Sequence, residues 1–80
     1  MNMHVTRHTM QIMDPTGHTT VAWEQGDTAE VEVARTTFDE MTRKGYQAFR
    51  VGKNGERGTR MTAFDPAAEE MLLIPQLVGG

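Results

Sequence analysis

The chain contains no cysteine. That excludes a disulfide-stapled scaffold, a cysteine-based zinc finger and a thiol enzyme. Aromatic residues are few, with three Phe, one Tyr and one Trp, so any core is organised around a handful of rings. No apolar run approaches the ~20 residues of a membrane span, and the N-terminus lacks the apolar stretch of a signal peptide. The expectation is a cytoplasmic protein with no membrane partner. Eight basic residues stand against eleven acidic ones, for a net charge of −3, and the basic residues are scattered. Phosphate-backbone binding wants a concentrated basic face, so nucleic acid is not an expected partner. Lysine is scarcest among the charged types, with only Lys44 and Lys53.

What remains is one small domain. Eighty residues bury only about 60–65% of the surface an unfolded chain exposes, which leaves room for one helix on one sheet and little for a deep catalytic cleft. No repeat, linker or low-complexity stretch divides it. Seven methionines are many for this length, and Met1, Met3, Met10 and Met13 fall near the N-terminus. Their flexible thioethers serve cores and adaptable surfaces equally well.

Hydrophobic periodicity orders the elements. Met10 and Ile12 alternate with Thr9 and Gln11, and Val21 and Trp23 alternate with Thr20, Ala22 and Glu24, which is the period of two of a hairpin with one buried face. Asp14-Pro15-Thr16-Gly17 supplies the turn, Pro15 presetting φ and Gly17 able to take a positive value. A helix is predicted over Asp27–Lys44. Asp27 is its N-cap, Glu30 sits in capping-box position, and Gly45 stops it. Val31, Ala34, Phe38 and Met41 form its apolar stripe. Tyr46–Val51 and Thr59–Phe64 read as a second hairpin around Asn54-Gly55, the strongest short-range hairpin signal. A strict two-residue turn sets Phe49 opposite Arg60. A bulge at Gly58 sets it opposite Met61 and is preferred, because Phe49, Val51, Met61 and Ala63 then share a face. Asp65-Pro66 reads as an N-cap followed by proline, opening one short helical turn through Glu70. Met71-Leu72-Leu73-Ile74 is a continuous apolar run suited to a central strand covered on both faces or nearly so, and Pro75 ends its pairing.

Other candidate chemistry is thin. Gly52, Gly55 and Gly58 bracket Lys53, Asn54, Glu56 and Arg57, superficially a phosphate-cradling loop. Such a loop needs a helix after it, and both flanks here read as strand. His4 and His8 lie four apart, with His18 further on, but threonines and valine around them favour strand over helix and no carboxylate is near to complete a metal site. No triad supports nucleophilic catalysis, so the chain is not expected to be an enzyme or to carry a cofactor. Trp23 is expected in the core. On the outward face of the sheet, Thr20, Ala22 and Tyr46 are candidates for a partner patch.

The order of elements is hairpin, helix, hairpin, short helix, final strand, and the ending is Leu72-Leu73-Ile74-Pro75-Gln76-Leu77-Val78-Gly79-Gly80. In both respects the chain resembles the ubiquitin-like β-grasp family, over about His8 to Gly80. The ending is similar to the tails of ubiquitin and of the bacterial sulfur carriers of thiamin and molybdopterin synthesis. The resemblance implies an α+β fold of order β-β-α-β-β-(short helix)-β, with a mixed sheet packed on one helix. It also implies a flexible N-terminus or strand extension over 1–8, a domain over 9–75 and an exposed tail over 76–80. In this family the terminal carboxylate is adenylated by an E1-like enzyme that supplies the ATP chemistry. On that pattern Gly80 is the activated residue, Gly79 gives steric access, and Leu77 and Val78 provide tail recognition. Glycines suit this task because they carry no Cβ to obstruct a narrow channel. The expected function is a protein modifier conjugated to protein targets, with an E2-like transfer enzyme and a deconjugating protease as further partners. Lys44 and Lys53 are the side chains able to accept an isopeptide bond if chains form. The alternatives are a sulfur carrier ending in a thiocarboxylate and a non-covalent adaptor or structural protein. Two terminal glycines arise by chance in about one chain in 200.

Overall fold

The computed structural model describes residues 7–52 and 57–75. Five strands form one mixed sheet, and a single helix packs on one face of it, an α+β arrangement compatible with a β-grasp. Strands β1 (His8–Asp14) and β2 (Gly17–Trp23) form the first hairpin, α1 spans Thr28–Arg43, β3 (Gln47–Val51) and β4 (Arg57–Met61) form the second hairpin, and β5 is Glu70–Ile74. The order across the sheet is β2-β1-β5-β3-β4. The last strand lies at the centre, parallel to β1 on one side and antiparallel to β3 on the other.

Local chemistry explains each element. In the first turn, the Asp14 carboxylate accepts from the Thr16 amide at 2.8 Å and the Thr16 hydroxyl at 2.6 Å. These bonds, the hydroxyl's first, hold the Asp14 carboxyl below its ordinary range. Gly17 closes the turn at φ +142°. At the helix start the Asp27 carboxylate accepts from the Glu30 amide at 3.1 Å. Glu30 reaches past the cap to the Glu24 amide, at 3.0 Å, and so ties the helix to the end of β2. The helix ends in a Schellman arrangement. Gly45, at φ +105°, donates to the Thr42 carbonyl, and Tyr46 donates to the Met41 carbonyl, satisfying carbonyls the last turn leaves open.

The core lies between sheet and helix. Met10, Ile12 and Trp23 from the first hairpin, Ala48, Met71 and Leu73 from the centre, and Val31, Ala34 and Phe38 from the helix are buried together with Ala68. Trp23 packs a tilted ring against Phe64, which in turn meets Phe38 edge-on.

Two expectations are corrected. The segment after Asp65-Pro66 is a tight turn, not a short helix: the Asp65 carbonyl and carboxylate accept from the Ala68 and Ala67 amides. Three carbonyls that follow are taken by the first hairpin, Pro66 O by the Trp23 indole N–H, Ala68 O by His8 Nδ1 and Glu69 O by the Thr9 amide, and an incipient helix of one turn has nothing to set against them. In the second hairpin Phe49 faces Arg60, and Ala48 faces Met61. The bulge is present, but it lies between that pair and Val51–Arg57. It therefore does not carry Phe49 to the helix side.

Candidate functional site

The functional question centres on β5 and what flanks it, because this strand leads to the segment on which the sequence-based reading rests. Met71 and Leu73 are fully buried toward the helix, while Leu72 and Ile74 are half-buried on the opposite face. The expectation of a strand covered on both faces is met on one side only.

The approach to β5 is fixed by polar bonds. His8 is buried, donates from Nδ1 to the Ala68 carbonyl at 2.8 Å and stacks on Trp23 with ring centres 5.7 Å apart. The Trp23 indole N–H donates to the Pro66 carbonyl at 3.1 Å. The Arg50 guanidinium donates to the Asp65 carboxylate at 2.6 Å. The Ala67 amide first, and Arg50 after it, hold the Asp65 carboxyl below its ordinary range. Start of β1, end of β2, end of β3 and the turn before β5 thus meet in one bonded cluster. It is a device for placing β5, and its Arg50 and Ala67 also border an open depression of about 310 Å³ with Val51, Gly52 and Glu69.

The face of the sheet away from the helix has its own composition. The registers set Thr20, Gln11, Leu72, Phe49 and Arg60 in one row across all five strands. Ile74 pairs with Gln47 in the row beside it, and Gln11 Nε2 donates to the Glu70 carboxylate at 3.5 Å. The centre of this face is apolar and half-buried, and its margins are polar. Among the predicted patch residues, Thr20 and Ala22 lie on this face, whereas Tyr46 packs against the core. Phe49 and Leu72 were missed there. The signal that could have found them was the strict two-residue turn at Asn54-Gly55, whose register sends Phe49 outward.

The remaining predicted residues divide simply. Gly79, Gly80, Leu77, Val78 and Lys53 lie outside the described residues, as does His4. Lys44 caps the C-terminus of the helix and is exposed. His8 and His18 stand at opposite ends of the β1–β2 ladder, paired with Trp23 and Met13. Among the described residues no three metal-ligating side chains come together, and no helix is long and apolar enough to cross a membrane. Gly52 directly follows β3 and Gly58 lies within β4, so a strand stands where a phosphate loop requires a helix.

Compared with family models, curated proteins and solved structures, the chain matches none. Its function is therefore read from its own residues.

Proposed function

We propose that this chain is a ubiquitin-like protein modifier with a β-grasp fold, acting through a carboxylate on Gly80. The observation that supports this reading is the place of β5. The last strand fills the centre of the sheet, between β1 and β3 and parallel to β1, and Pro75-Gln76-Leu77-Val78-Gly79-Gly80 follows it in sequence.

The chemistry is carried by partners. An E1-like enzyme lets the Gly80 carboxylate attack the α-phosphate of ATP, releasing pyrophosphate and forming an acyl-adenylate. A thiolate then displaces AMP to give a thioester, and a target amine displaces the thiolate to give an amide. Gly79 and Gly80 present no side chain to the channel, and Leu77 and Val78 give it apolar purchase. In the sulfur-carrier alternative, the adenylate is captured by a sulfur donor and ends as a thiocarboxylate. The chain itself is a substrate in each case. The setting this implies is the cytoplasm, with an E2-like transfer enzyme and a deconjugating protease as further partners.

A second reading has its own support. The apolar centre of the helix-free face, with Phe49, Leu72 and Ile74, suits a non-covalent adaptor that docks a protein partner there and needs no activated tail.

Intact mass spectrometry separates these readings. The full chain and a chain ending at Val78 are incubated with ATP and candidate adenylating enzymes from the same host. Covalent transfer to an enzyme or target, formed by the full chain alone, is the expected result. Exchange of one terminal oxygen for sulfur selects the sulfur carrier. A full chain that stays unmodified with every such enzyme, while both forms bind the same partner, selects the adaptor.

A further inference from the structure

Methionine is common in this chain, and its thioether is a soft donor that suits few metal ions. The described methionines are mostly spent on packing. Met10 and Met71 are fully buried, and Met41 and Met61 pack against the core. Met13 is the exception, at 40% exposed. It follows Ile12, which is buried toward the helix, so its own side chain points to the helix-free face. Its partner across the β1–β2 ladder is His18, which is also exposed. Directly opposed residues of an antiparallel pair share a face, with Cβ atoms about 4.5–5.5 Å apart. One thioether and one imidazole are thereby presented together to solvent.

The turn holds this pair in register. Met13–His18 is the step before Asp14–Gly17, where the ladder closes, and Asp14 Oδ1 accepts from both the Thr16 amide and the Thr16 hydroxyl. The Asp14 carboxylate also lies within electrostatic reach of His18. It places negative charge beside the pair while its Oδ1 serves the turn.

We propose that Met13 and His18 are the two protein ligands of a site for a soft monovalent cation of the Cu(I) class. The donor set selects this occupant. Thioether sulfur favours Cu(I), and imidazole suits copper as well. Zinc, calcium and magnesium want four or more ligands, whereas among the described residues no three His, Asp or Glu side chains come together. A closed-shell monovalent ion is served by two donors in a line. Bonds of about 2.0–2.3 Å on each side set those donors roughly 4–4.6 Å apart, close to the spacing of opposed Cβ atoms. Because both side chains are exposed, they can close on an ion without moving the backbone. Binding forms two dative bonds, displaces water and transfers no electron. The site goes beyond the modifier reading and does not depend on Gly79-Gly80.

The test is an NMR titration of the full chain, its methionine methyls carrying carbon-13, with Ag(I) as a redox-inert probe in chloride-free buffer. The Met13 methyl and the His18 ring signals are expected to move together with one midpoint, while the Met10 and Met71 methyls stay in place. Met13→Leu and His18→Gln exchange exposed side chains, and circular dichroism checks that the fold is kept. In each variant the remaining ligand should need at least about tenfold more Ag(I) to respond, since even outer-shell partners of a bound metal are worth about 10–100-fold in affinity. Zn(II) should leave the Met13 methyl where it is. A Met13 methyl that ignores Ag(I), even while Met1, Met3 or His4 take it up, overturns the proposal. So does a His18 ring that titrates in Met13→Leu as it does in the wild type, because the two would then share no ion. Zn(II) moving both signals as Ag(I) does would overturn the assignment to a soft ion.

Discussion

At the scale of single residues, two positions on the second hairpin and its neighbourhood show how closely the backbone is fitted. Gly58 lies where the β3–β4 register shifts, and a Cβ there would stand 2.6 Å from the Arg50 carbonyl oxygen. Backbone cannot yield as a side-chain tip can. Gly58→Ala is expected to cost about 1–3 kcal/mol through displaced strand pairing, measured as a lower urea midpoint with unchanged slope. Gly17 has open space around it but a positive φ, so the same change there is strained for a different reason. Asp65 gives a pH-dependent prediction. Its carboxyl titrates below the ordinary value of 3.8 because the Ala67 amide, and then Arg50, favour the charged form. A carboxyl depressed in the folded state contributes stability that is present above its unfolded pKa. That contribution disappears as pH falls through the lower folded value. Asp65→Asn keeps an oxygen for the Ala67 amide and loses the charge facing Arg50. Both partners of the ion pair are substantially exposed, so the cost at neutral pH is on the order of 0.5 kcal/mol. Melting curves for the two proteins should differ at pH 7 and converge below about pH 3. A gap that persists in acid would mean that Asp65 acts through shape and not charge.

At the scale of elements, the most consequential joint is the turn that delivers β5. His8 holds the Ala68 carbonyl inside the core boundary, where Ala68 itself is fully buried. His8→Phe would preserve stacking on Trp23 and remove the donor. Leaving that carbonyl unpaired is expected to cost about 1–3 kcal/mol and to speed hydrogen exchange at the Ala68 and Thr9 amides before the rest of the sheet. Equal protection throughout would show that the turn is held by packing alone. This joint also marks the limit of what residue patterns convey. The first hairpin, the helix with both caps, and the central place of β5 were legible because their signals are local: period-two alternation, Asp27 with Glu30, Gly45, and an apolar run before Pro75. The short helix after Asp65 was misread because local capping chemistry was overruled by bonds from His8 and Thr9, some 60 residues away. The register of the second hairpin was misread for a similar reason. Apolar Phe49 was assigned to the buried face, yet that face is filled by Ala48, Tyr46 and Met61 with Phe38 above. With Phe49 assigned inward, the apolar centre of the helix-free face is missed, although Thr20 and Ala22 on its margin are expected there. His8 as a core residue carried no local signal, since a histidine near a chain start looks the same whether its partner is water or a distant carbonyl.

At the scale of the whole molecule, the buried side chains among the described residues run from His8 to Leu73, and the proposed chemistry is assigned to residues that follow them in sequence. That separation is what a carrier of an activated tail requires, because the tail must enter an enzyme while the domain stays folded. It leads to a coupled prediction. A chain ending at Val78 should unfold at the same urea concentration as the full chain, within the ±0.5 kcal/mol typical of changes remote from a core, and should lose every ATP-dependent covalent product. Phe49→Arg should behave in the complementary way. It places a charge in the apolar row of the helix-free face, leaves adenylation of Gly80 intact, and weakens whatever docks on that face. Chemical denaturation and mass spectrometry of the three proteins read both halves. If truncation destabilises the domain by more than about 1 kcal/mol, the last residues are part of the fold and the conjugation reading falls. If truncation is silent in both assays while Phe49→Arg abolishes partner binding, the helix-free face is the working surface and the protein is an adaptor. Equal stability with loss of all covalent product in the truncated chain alone is the outcome that places function in Gly79-Gly80.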